Sequence, residues 1–116
     1  MRTLVLFTSI PLLAAITILP AHALTGSDLE KFCGEPPESM AGSSCRVYLR
    51  GLVDGLYLAD KMAAEGRRLC SPNDKSIDVD QAKLVVQKYL KDHPEQLHRD
   101  GGVLAAVALY LAFPCK

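Results

Sequence analysis

The chain has 116 residues, with 13 Lys and Arg against 13 Asp and Glu, so its formal charge is zero. That balance excludes the basic excess a nucleic acid demands on one face and the cationic surface an anionic membrane attracts. The length holds one small domain, and four cysteines in so short a chain point to an oxidising compartment.

The first residues have the order of an export signal. Arg2 is a short positive region, and Leu4–Leu19 is apolar apart from Thr8, Ser9, Pro11 and Thr17. Pro20 breaks the run, and Ala21-His22-Ala23 puts small residues at the two positions a signal peptidase reads. A spanning helix needs ~20 unbroken apolar residues, and a membrane anchor leaves Lys or Arg behind the run. Here the first charges behind it are Asp28 and Glu30. No cysteine follows the cleavage point to carry a lipid. The expectation is a cleaved signal over 1–23 and a periplasmic domain over 24–116. Loss of Arg2 leaves that domain with 12 bases against 13 acids, a net charge of −1. A chain of this size buries only about 60–65% of its unfolded surface.

Four helical segments follow. Ser27 can cap a first helix over Asp28–Phe32, with Glu30 as the reciprocal partner of a capping box. Cys33-Gly34 ends it, and Glu35-Pro36-Pro37 forbids continuation. The second and longest starts near Ser44, with an apolar stripe of Cys45, Tyr48, Leu49, Leu52, Leu56, Ala59 and Ala63 at three- and four-residue steps. Gly51 and Gly55 each cost ~1 kcal/mol of helix propensity relative to Ala, which a closely approaching backbone would explain. Gly66 can end the helix, with Arg67 and Arg68 at its negative end. Leu69–Ile77 is a loop marked by Ser71-Pro72-Asn73-Asp74. Asp78 with Gln81 opens a third helix, whose stripe is Ala82, Val85, Val86, Tyr89 and Leu90. Asp92-His93-Pro94-Glu95 ends it and starts a fourth. That helix carries Leu97, Leu104, Val107, Ala108 and Leu111, has a weak point at Gly101-Gly102 and stops at Phe113-Pro114. No segment alternates, so the fold class expected is all-α: a small disulfide-stapled bundle of about four helices.

Cys33, Cys45, Cys70 and Cys115 show no CxxC spacing and read as bridges, not as a zinc site. Three pairings are open. If helices two, three and four pack antiparallel in order, Cys70 and Cys115 lie at one pole and Cys45 at the other. Cys33–Cys45 with Cys70–Cys115 then meets the required Cα separation of ~4.4–6.8 Å.

Catalysis has no positive case. All cysteines are used as bridges, which leaves no thiolate nucleophile. His93 reads as a cap before Pro94, and His22 leaves with the signal. His98 with Asp92 and Glu95 reads as a solvated helix start and not a metal cluster. Asp54, between Gly51 and Gly55, has Arg50 one turn back as an ion-pair partner. No phosphate loop or Ser-His-Asp arrangement is present. No enzyme activity, metal or cofactor is expected.

The run Cys45-Arg46-Val47-Tyr48-Leu49-Arg50-Gly51-Leu52-Val53-Asp54-Gly55-Leu56 resembles the C-x-x-Y-[IL]-x-G-x-x-D-G motif of the Rap/Tai family of type VI secretion immunity proteins. The resemblance continues, in order, through Cys70-Ser71-Pro72, Gln81, Val85, Tyr89–His98 and Ala108–Cys115. Gly101-Gly102 departs from it, since relatives tend to carry helix formers there. The resemblance implies an exported, all-α, disulfide-containing inhibitor, often dimeric. Its partner would be a toxin delivered to the periplasm, best known as a peptidoglycan amidase, and the inhibitor would occlude the active site.

No contact residues come with the resemblance, because the shared motifs look like determinants of the fold. A rigid, bridged body presents a loop with little ordering cost on binding. One candidate is Glu65–Ile77, tethered by Cys70 and carrying Arg67, Arg68, Asp74 and Lys75. A second is Glu35–Ser43, braced by Cys33 and Cys45. The alternative for both is an ordinary solvated loop. A competing function is a small periplasmic chaperone of the acid-stress kind, or an envelope structural protein. Two histidines in the exported part give a histidine-driven switch thin support.

Overall fold

Helix caps and close backbone contacts, more than apolar periodicity, set where the elements begin. A computed structural model describes residues 22–116, so the expected signal over 1–23 lies almost wholly outside the described residues. The described chain forms four helices: α1 (Gly26–Gly34), α2 (Met40–Met62), α3 (Val79–Asp92) and α4 (Gly101–Ala112). Short 3-10 turns sit at Pro72–Asp74 and Pro94–Gln96, and among the described residues there is no strand. No described helix is long and apolar enough to cross a membrane.

The cap of α1 is Thr25, two residues before the expected Ser27. Thr25 Oγ1 accepts from Asp28 N at 3.2 Å, and Asp28 Oδ2 accepts from Thr25 N at 3.0 Å. The Thr25 hydroxyl and amide together hold the Asp28 carboxyl below the usual carboxylate range. Tertiary contacts select this register over Ser27/Glu30. Gly26 N donates to Arg99 O at 2.9 Å and Ser27 N to Leu97 O at 3.0 Å, so the first turn of α1 is docked on the chain before α4.

Helix α2 begins at Met40, four residues before the expected start near Ser44. Ser39 caps it, accepting from Gly42 N at 3.0 Å. A Cβ on Gly42 would sit 2.0 Å from Pro36 O, so this glycine is where α2 closes on the preceding turn. The close approach expected at Gly51 and Gly55 is absent, with nothing within 4 Å of a Cβ at either. Both lie on the solvent side. The buried line of α2 is Cys45, Leu49, Val53 and Asp60, with Leu52, Leu56 and Tyr57 half-buried beside it. Ala59 is exposed, because the buried face is centred on Leu49, Val53 and Asp60, to one side of it. The helix ends at Met62. Gly66 does take a left-handed φ of 88°, but four residues farther on, inside the loop.

In α3 the expected face is found: Ala82, Val86 and Leu90 are buried, with Val85 and Tyr89 packed at its edge. Asp78 caps it, accepting from the amides of Asp80 and Gln81. The fourth helix does not start at Pro94. That segment is a separate 3-10 turn, and Asp100 caps α4 by accepting from Val103 N at 3.0 Å. Gly101 and Gly102 are thus its first two residues and not an internal kink. Gly101 N donates to Leu24 O at 2.7 Å, and a Cβ there would lie 2.8 Å from Thr25 O. A helix former would push the N-terminal strap off the bundle.

Two disulfides join Cys33 to Cys45 and Cys70 to Cys115, with Cα separations of 5.2 and 4.9 Å. The packing differs from three antiparallel neighbours. Arg46, in the second turn of α2, pairs with Asp80 at the start of α3, two places that a strictly antiparallel pair would separate. Gln87 Nε2 donates to Cys33 O at 2.7 Å and ties α3 to the end of α1. The ends of α2 and α4 nevertheless meet at one pole, where Leu69 bridges to Pro114.

Candidate functional site

At that pole the chain from Ala63 to Asp78 links α2 to α3, and it is held far more tightly than its polar sequence suggests. Leu69 and Ile77 are 0% and 1% exposed, so both ends of the projecting part are rooted in the core. Asp60, in the last turn of α2, is buried at 5% exposure. Its Oδ2 accepts from Arg68 N at 3.0 Å and Leu69 N at 2.7 Å. The next amide, Cys70 N, donates to Phe113 O at 2.9 Å, and the Cys70 side chain is bonded to Cys115. Three consecutive N–H groups are therefore fixed before the chain turns outward.

Ser71–Ser76 projects from this stalk. Pro72 starts a 3-10 turn, and Asn73 takes a φ of 58°, a left-handed conformation that Asn tolerates better than most residues. Lys75 N closes the turn on Pro72 O. Lys75, Arg67 and Arg68 are exposed, and Arg68 makes a solvent-facing pair with Glu65 at 3.6 Å. The side chain of Asp74 lies outside what the structure describes. An open groove of about 570 Å³ runs beside the Cys70–Cys115 bridge, between Ser71–Asn73 and Ala112–Pro114, with Lys116 at its rim. The loop thus offers basic side chains on a braced backbone.

The other residues singled out in the sequence fall elsewhere. Glu35–Ser39 is an exposed corner between α1 and α2, with Ser39 Oγ donating to Pro36 O at 2.6 Å. Asp54 is exposed and pairs with Arg50 at 3.4 Å. His93 lies against Tyr89 with ring centroids 4.3 Å apart, and its Nδ1 is 3.2 Å from Glu95 Oε1. His98 is exposed on the link before α4. Among the described residues, no three His, Cys, Asp or Glu side chains converge in a way that could hold a metal ion. Asp60 was not legible in the sequence, because one acid within an apolar stripe gives no sign that backbone amides will reach it.

A family model described as Rap1a immunity proteins matches residues 25–115, nearly all of the described chain. The chain belongs to this family. No curated protein and no solved structure matches it. A Rap1a immunity protein acts by binding a secreted protein effector, so its working part is a protein-binding surface. The match begins at Thr25, the cap of α1, and ends at Cys115, the last bridge, so it covers the whole stapled bundle.

Proposed function

We propose that this Rap1a immunity protein is exported to the periplasm, where it inhibits a type VI secretion effector, a peptidoglycan amidase, by inserting the loop around Ser71–Ser76 into the active-site cleft. The observation that carries this reading is the bracing of the loop at Leu69, Cys70 and Ile77. A preset loop loses little conformational freedom on docking, and that loss is a main cost of tight binding. The export-type sequence of residues 1–23 and the two bridges suit an oxidising periplasm. A second copy is proposed to pack on α4, which has no charged residue and exposes Val103, Val107 and Leu111 along one stripe.

Co-expression in a Gram-negative host tests the reading, with a periplasm-directed type VI amidase from the same genome as the toxin. The full chain is expected to prevent lysis, and the chain without residues 1–23 to give no protection. Lysis that continues while folded, exported protein accumulates would reject the proposal.

A further inference from the structure

We infer that Asp60 is the positioning residue that presets the recognition loop. This inference rests on the proposed role of that loop. Asp60 is the one charged or polar side chain buried among the described residues, and no catalytic or ion-pair role accounts for it. A carboxylate is expensive to bury unless strong donors surround it. Here it takes two consecutive amides, Arg68 N and Leu69 N, through one oxygen. Bonds of this kind, with an ionised acceptor, are about twice as strong as neutral ones.

The placement gives the bonds their purpose. Asp60 stands on a regular helix, so its position is fixed by α2, and it closes the chain on itself over nine residues. That closure points the Leu69 side chain into the core and delivers Cys70 to Cys115 and to Phe113 O. Without it the segment from Ala63 to Arg68 has no other buried anchor, since every residue from Ala64 to Arg68 is exposed. Buried Leu69, the Cys70 N–Phe113 O bond and the bridge hold the chain from Leu69 onward, and Asp60 fixes the direction in which the exposed segment reaches them. Asp60 touches no effector in this account and acts through the loop.

The test compares Asp60→Ala and Asp60→Asn in the oxidised protein by amide hydrogen exchange and by inhibition of the same amidase. Asn keeps the shape and an accepting oxygen, so it is the conservative rescue. Asp60→Ala is expected to speed exchange at Arg68, Leu69 and Ser71–Ser76 by roughly tenfold or more. It should weaken inhibition by a similar factor, with exchange in α1, α3 and α4 unchanged. Asp60→Asn should recover most of both losses. Unchanged loop exchange in Asp60→Ala would overturn the inference, as would general unfolding of that variant, which would make Asp60 a requirement of the fold. A loosened loop with unimpaired inhibition would uphold the positioning role and overturn the proposed loop contact instead.

Discussion

Glycine to alanine within one helix should have opposite signs at two places. Gly42, Gly51 and Gly55 all lie in α2, where replacing Gly by Ala gains about 1 kcal/mol of helix propensity. At Gly51 and Gly55 a Cβ meets nothing within 4 Å, so the gain should appear in full at each. At Gly42 the new Cβ would sit 2.0 Å from Pro36 O and 2.7 Å from Pro36 C. Both are backbone atoms, and the corner they belong to is pinned by Cys33–Cys45, so it cannot open without strain. Overpacking of this kind costs about 1–3 kcal/mol and sometimes more. A clash this close with fixed backbone belongs at the upper end of that range, so after the propensity gain Gly42→Ala should lose about 2 kcal/mol. At about 4–8 °C per kcal/mol for a domain of this size, Gly51→Ala should raise Tm by that interval and Gly42→Ala should lower it by roughly 10 °C. Thermal unfolding followed by circular dichroism on oxidised protein measures both. A Gly42→Ala variant as stable as Gly51→Ala would refute the close packing of α2 on Pro36.

Leu69→Ala, at a fully buried side chain, should lose about 2–5 kcal/mol, far more than a loop residue ordinarily does, and denaturant unfolding would measure it. Graded dithiothreitol followed by alkylation and mass spectrometry should find thiols first at Cys70 and Cys115, which are partly exposed, because Cys33 and Cys45 are 1% and 0% exposed; earlier opening of Cys33–Cys45 would contradict the burial. The carboxyls of Asp28, Asp92 and Glu95 are held below their ordinary values, respectively by Thr25, by Lys88, and by Glu95's own amide with Gln96 and His93. Their stabilisation is present above the ordinary carboxylate range and is lost as pH falls through the lower folded values. Tm should therefore hold from neutrality to about pH 5 and drop below about pH 4, and a rise on acidification would contradict the sign.

Much of the fold is legible because strong local signals coincide. Pro36-Pro37 and Pro94 bar helix continuation, and Asp78 starts a helix, by chemistry that tertiary contacts do not override. The α3 stripe works for the same reason, as one face meets one core. Legibility fails where a distant segment decides. Thr25 and Ser27 carry equivalent capping patterns, and only the docking of Gly26 and Ser27 on Leu97–Arg99 selects between them. Glycines present the same difficulty. Gly51 and Gly55 look like contact points yet face open solvent, while Gly42, which draws no notice, and Gly101, which reads as a weak point inside a helix, take the tight approaches. The bridge pairing follows from the shared pole of the ends of α2 and α4, although Arg46, near the start of α2, reaches Asp80 at the start of α3. In the proposed recognition loop the basic residues are visible in sequence, but their support is not. Asp60 finds the amides of Arg68 and Leu69 only after α2 and Leu69 have packed.

On the proposed reading, a braced helical body blocks its effector by occupying it. Titration of oxidised protein into the purified amidase, with peptidoglycan hydrolysis as the readout, tests this most directly. Activity should fall linearly to zero at a fixed small-integer ratio of the two proteins and return when Ser71–Ser76 is replaced by a glycine-serine segment. Full hydrolysis in the presence of excess folded, oxidised protein would contradict it.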